Sequence, residues 1–125
     1  MNLQSRAQRG YARPAPFLRP ARHTEYDVMA GITHRLRDAA RKGNTAFADL
    51  AQALHENMQL WTVLATDVAD KDNALPKELR AQIFYLAEFT QQHTHKVLDG
   101  SSSVRPLLEI NVAILKGLRH RSEAP

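Results

Sequence analysis

Cysteine is absent from the 125 residues, which excludes disulfides, thiolate nucleophiles and cysteine zinc sites and suits a reducing compartment, the cytoplasm being the simplest. No apolar run approaches the roughly 20 residues of a membrane-spanning helix, and the arginines near the amino terminus are not followed by the apolar stretch of a secretory signal. The expectation is a protein neither exported by a signal peptide nor inserted in a membrane. A Gly-rich phosphate loop and a nucleophile elbow are also missing, and the carboxylates Glu78 and Glu88 fall on expected solvent faces. His93 and His95 lie two positions apart, so on a helix they point about 200° from each other, and neither His34 nor His55 supplies a chelating spacing. The chain therefore reads as a non-enzyme with no catalytic residue, cofactor or metal ligand set.

Acid is missing from residues 1–22, where Arg6, Arg9, Arg13, Arg19 and Arg22 are the only charged side chains, so the net charge of +4 originates in this arm. Such an arm suits RNA, an anionic membrane surface or an acidic protein, with Tyr11 and Phe17 as stacking or anchoring groups; the alternative is a solvated leader. Pro14, Pro16 and Pro20 deny it a continuous helix, and it is expected to be extended or mobile until a partner orders it.

The rest is all-α in pattern, a small bundle of about four amphipathic helices. Val28, Met29, Ile32, Leu36 and Ala40 share a face between Thr24 and Lys42, with Thr24 as cap and Gly43 as stop. Asn44 or Thr45 is placed to cap a longer second helix whose stripe is Phe47, Leu50, Leu54, Trp61, Leu64 and Val68. A turn at Asp70–Asn73 precedes Pro76, suited to the first position of a third helix carrying Leu79, Ile83, Leu86, Thr90, His93 and Val97. Gly100 suits a left-handed helix end. Pro106 opens a fourth helix with the stripe Leu107, Ile110, Asn111, Ile114 and Leu118. Two antiparallel hairpins, first helix with second and third with fourth, would close the bundle. The organisation expected is an arm over 1–22, one helical domain over 23–121 and a flexible tail over 122–125, with no internal repeat.

Several polar residues interrupt these stripes. Asn57 and Asn111 need hydrogen-bond partners if buried; either they fix helix register inside the bundle, or the stripe is partly open and the amides meet a partner. Thr90 and His93 admit the same two readings. Asp67 and Arg80 flank the Asp70–Asn73 turn, where they form either an ion pair that sets the hairpin angle or, for Arg80, a partner contact.

The order Asn57, Leu60-Trp61, Leu64-Ala65-Thr66-Asp67, Asn73-Ala74-Leu75-Pro76, Leu79-Arg80-Ala81-Gln82-Ile83, Leu86-Ala87, Asn111 and Gly117-Leu118 resembles the flagellar biosynthesis regulator FlaF family. The resemblance covers roughly residues 24–119 and leaves the arm mostly outside. It departs from the family at Tyr85, where a small residue is expected, and at Val112, where a basic residue often follows the asparagine.

The resemblance implies a flagellar biosynthesis protein that binds flagellin and supports its synthesis and export as a secretion chaperone or facilitator, with FlbT or the export apparatus as further partners. A groove near the third and fourth helices would receive an amphipathic flagellin helix on its apolar residues, with Leu79, Ile83, Leu107 and Ile114 themselves read as core rather than contact. The residues singled out for partner contact are Asn57, Trp61, Arg80, Tyr85, Thr90, His93 and Asn111. The alternatives are a post-transcriptional regulator that holds flagellin messenger RNA through the basic arm, and a structural basal-body component.

Overall fold

The computed structural model describes residues 22–123, with four α-helices and no strand among them: α1 (Arg22–Arg41), α2 (Phe47–Ala69), α3 (Lys77–Leu98) and α4 (Arg105–Glu123), plus a 3₁₀ turn at Gly43–Ala46. Arg6, Arg9, Arg13 and Arg19 lie outside the described residues, whereas Arg22 opens α1 two positions before the expected cap at Thr24.

The breaks fall where the sequence chemistry puts them. Gly43 and Gly100 adopt φ of 65° and 84°, the left-handed region that side chains with a Cβ avoid. At the end of α3, the Ser101 amide donates to the Lys96 carbonyl (2.9 Å) and Gly100 to Val97 (3.1 Å), a Schellman closure around Gly100. Pro76 is the N-cap of α3, one position ahead of expectation, and its carbonyl accepts the Arg80 amide at 3.0 Å. Pro106 sits in the first turn of α4, where no amide partner is required of it.

The cap expected from Thr45 does not form, and the side chain of Asn44, the other expected cap, lies outside what the structure describes. The 3₁₀ turn intervenes, Ala46 takes the N-cap position without a side-chain bond, and the Thr45 hydroxyl donates back to the Lys42 carbonyl at 2.8 Å.

Two apolar clusters make the core. One gathers Met29, Ile32, Leu60, Trp61, Leu64, Val68, Leu75, Ile83, Ala87 and Leu118; the other gathers Leu36, Ala39, Ala53, Leu54, Val97 and Leu107. Buried polar residues lie between them in every helix: Thr33 in α1, Asn57 in α2, Thr90 and Thr94 in α3, Asn111 in α4. The bundle is thus two apolar blocks separated by a polar layer.

Helix pairing differs from the two expected hairpins. α1 packs on α2, α2 on α3 and α4 on α1, while α3 and α4 meet only sparsely. The side chains of α4 supply a reason. Its edge toward α1 carries Leu108, Val112, Leu115 and Arg119 in steps of four and three, whereas its opposite edge carries Ile110, Ala113 and Gly117. The bulk lies on the α1 side, and Arg119 there reaches the Tyr26 hydroxyl at 3.3 Å, its guanidinium 5.9 Å from the ring centroid.

Two members of the expected stripes are exposed. Lys42 pairs with Asp49 and Arg35 with Glu56, a register in which Phe47 lies past the end of α1, and it is 54% exposed. Val28 sits on the same edge of α1 as Arg35 and Lys42, level with Val63 of α2, and both valines are partly open to solvent.

Candidate functional site

Asn57, Trp61, Thr90 and Asn111, four of the seven residues expected to meet a partner, are fully buried. Three of them form one hydrogen-bonded unit with Thr33. The Trp61 indole donates to Asn111 Oδ1 at 2.9 Å; Asn111 Nδ2 donates to Asn57 Oδ1 at 2.8 Å and lies 3.0 Å from Thr33 Oγ1, which donates to the Met29 carbonyl. This unit ties α1, α2 and α4 at one level. A one-turn slip of α2 would break two of these buried bonds and a slip of α4 all three, so the register-fixing reading of the two asparagines accounts for their place. Asn57 Nδ2 and Thr90 Oγ1 are buried without a hydrogen-bond partner.

Arg80 works at the turn. Its Nε donates to the Val68 carbonyl (3.1 Å) and its Nη2 to the Asp70 carbonyl (3.3 Å), satisfying oxygens left open at the end of α2. Asn73 completes the turn: its Nδ2 donates to the Asp67 carbonyl at 3.0 Å and its Oδ1 accepts the Leu75 amide at 3.0 Å. The Asn73-Ala74-Leu75-Pro76 and Arg80 elements thus fix how α3 leaves α2.

The remaining two expected residues are accessible and lie on different sides of α3. Tyr85 is 65% exposed and points away from the bundle, next to the 43% exposed Phe84. Phe84 borders a shallow depression with Val68, Ala69, Lys77, Arg80 and Ala81. His93 is half-buried on the α4 side, stacked on Phe89 with centroids 5.3 Å apart, its Nε2 2.8 Å from the Ser103 carbonyl. Asp99 anchors the loop that follows. Its carboxyl is held below the ordinary value of 3.8, first by the Ser101 hydroxyl and then by the Ser101 amide.

Because α3 and α4 hardly touch, the flank between them is an open apolar seam. Leu79 and Leu86 from α3 and Ile110 and Ile114 from α4 pack on the first core cluster yet remain half-buried. Ala113 and Gly117 form the α4 lip and are exposed. Gly117 is the informative member. A glycine inside a helix costs about 1 kcal/mol relative to alanine, yet a Cβ built at Gly117 meets nothing within 4 Å. Nothing among the described residues requires a side chain to be absent here; close approach by another backbone would.

A family model described as flagellar protein FlaF matches residues 7–118. The chain belongs to the FlaF family. The FlaF match begins well before Thr24, so most of the arginine-rich segment falls within the family pattern, contrary to the expectation that it lies mostly outside. No curated protein and no solved structure matches the chain. None of the four helices is long and apolar enough to cross a membrane.

The structure therefore redistributes the candidate residues of this FlaF protein. Asn57, Trp61, Thr90 and Asn111 lie in the interior and Arg80 at the turn, while the open surface near α3 and α4 is lined by Leu86, Phe89, Ile110, Ala113 and Gly117, with His93, stacked on Phe89, the member of the seven that borders it. Gly117 carried the available signal, a glycine inside an otherwise well-striped helix.

Proposed function

We propose that this FlaF protein acts in the cytoplasm as a flagellin-binding chaperone, holding an amphipathic helix of flagellin along the α3–α4 seam and so supporting flagellin synthesis and export. The carrying observation is Gly117, an exposed mid-helix glycine with open space where its side chain would be, on the lip of a seam whose apolar residues are half-covered. An incoming helix would lay its apolar face on Leu79, Leu86, Ile110 and Ile114 and approach α4 closely at Ala113 and Gly117, as in helix-in-groove recognition. It would complete on the α3–α4 flank the packing that the other flanks already have. Flagellin termini are amphipathic helices that must not assemble before export, and occupancy of the seam would shield one. FlbT or the export apparatus would then act on the loaded complex.

The test is calorimetric titration of the full chain with the terminal helical segments of flagellin. Gly117→Glu and Ala113→Glu place a carboxylate on the lip at exposed positions; both are expected to abolish binding while leaving the helical circular dichroism unchanged. Unchanged affinity in both variants would refute the seam as the site.

A further inference from the structure

We infer that the exposed edge of α4 and the seam beside it form a self-complementary surface on which a second copy of this chain docks, its α4 antiparallel to the first. Glu109 and Lys116 lie about two turns apart along one edge of α4, and both are exposed. Between them stands Ala113, also exposed, with Gly117 and half-buried Ile110 beside it on the seam side. Over the same turns the α3 lip carries Gln82, Leu86 and Phe89 and is uncharged. The pattern along the helix is therefore carboxylate, small apolar surface, ammonium. Glu109 pairs within the chain with Arg105 at 3.6 Å, one turn away and well exposed, a contact that stabilises little. Lys116 makes no ion pair among the described residues.

An antiparallel second α4 matches this pattern. With a two-fold axis perpendicular to both helices and passing beside Ala113, Ala113 meets Ala113, and Glu109 of each copy lies against Gly117 and Lys116 of the other. Rotation about that axis keeps each helix edge on its own side of the pair. The charged edges therefore meet with signs opposed, twice, while the apolar seam edges close on one another. Gly117 has open space where a Cβ would stand, and through that space the stem of Glu109 crosses to Lys116 of the second copy. A parallel pairing would instead set Glu109 against Glu109 and Lys116 against Lys116, which like-charge repulsion disfavours. The contact spans only a few turns of each helix, far less than a permanent dimer buries, so the affinity is in the high-micromolar range and the seam is open at lower concentrations. A flagellin helix would compete with the second copy for the seam. That competition rests on the flagellin reading; the dimer does not.

The experiment is sedimentation velocity of the full chain up to high-micromolar concentration, with single cysteines introduced for cross-linking into a chain that has none. A reversible monomer–dimer equilibrium is expected. Glu109→Lys and Lys116→Glu each turn both attractions across the axis into repulsions and are expected to weaken the dimer roughly tenfold. The double variant Glu109→Lys with Lys116→Glu is expected to restore it. Both side chains are exposed, so the helical circular dichroism stays constant through the series. Ala113→Cys, at the axis, is expected to form a disulfide between copies on mild oxidation, whereas Ala81→Cys, on the α2 side of α3, stays monomeric. A strictly monomeric chain, single charge reversals without effect, a double variant weaker than the wild type, or cross-linking at Ala81 as fast as at Ala113 would each overturn the inference. A dimer with all these properties in a protein to which the terminal helices of flagellin fail to bind would support the inference and count against the flagellin reading alone.

Discussion

The Trp61 indole of α2 donates to Asn111 Oδ1 of α4 at 2.9 Å, across the bundle between two helices that are not packed neighbours. That bond joins the apolar cluster around Trp61 to the polar layer beneath it and leaves Asn111 Nδ2 for Asn57 and Thr33. Asn111→Leu keeps the branched shape and strands the Trp61 N–H and Asn57 Oδ1. With each unpaired buried group costing about 1–3 kcal/mol, a loss of roughly 2–4 kcal/mol is expected in urea unfolding. Equal stability of the variant would show that the polar layer does not hold the helices.

Thr90→Val tests the same layer with the opposite sign. The Thr90 hydroxyl is buried without a partner, so replacing it by a methyl group is expected to raise stability by roughly 1 kcal/mol. A loss of stability would mean that the hydroxyl finds an acceptor in solution.

Trp61 is fully buried, and Trp61→Ala is expected to cost about 3–5 kcal/mol, a large share of the stability of so small a domain. Any flagellin-binding defect in that variant reports misfolding, which circular dichroism would register.

Gly117→Ala separates stability from function. The added Cβ meets open space, so thermal unfolding is expected to show a gain of about 1 kcal/mol from helix propensity alone, while affinity for the flagellin helix falls. Gly100→Ala goes the other way in stability because φ is 84° there.

How far the sequence reaches is plain from these residues. Gly43, Pro76 and Gly100 mark backbone that only certain residues adopt, so helix ends were legible to within one or two positions. Asn57 and Asn111 were legible as amides in need of partners, and Trp61 as core. What the periodicity does not carry is which neighbour a stripe meets. The stripes of α3 and α4 look as well formed as those of α1 and α2, and the open seam follows from the bulk of Leu108 and Leu115 on one edge of α4 against Ala113 and Gly117 on the other. Phe47 shows the same gap: its spacing is right, but the α1–α2 register puts it past the end of α1. Arg80 was legible as a residue of the turn, but its carbonyl acceptors depend on a chain path that spacing does not specify.

The α3–α4 loop carries a pH signature. Asp99 is held below 3.8 by Ser101, so its contribution to loop order is present above the ordinary carboxylate range and is lost as pH falls through the lowered value. The Ser101 amide shift, followed by NMR, is expected to titrate with a midpoint below 3.8 in the wild type and not to titrate in Asp99→Asn.

Amide hydrogen exchange of the full chain, alone and saturated with flagellin, tests the central claim most directly. The account predicts slowed exchange in the turns of α3 around Leu86 and Phe89 and of α4 around Ala113 and Gly117, with little change near Val63 on the far side of α2. Protection confined to the α1–α2 face, or no protection on α3 and α4 in a complex that does form, would contradict it.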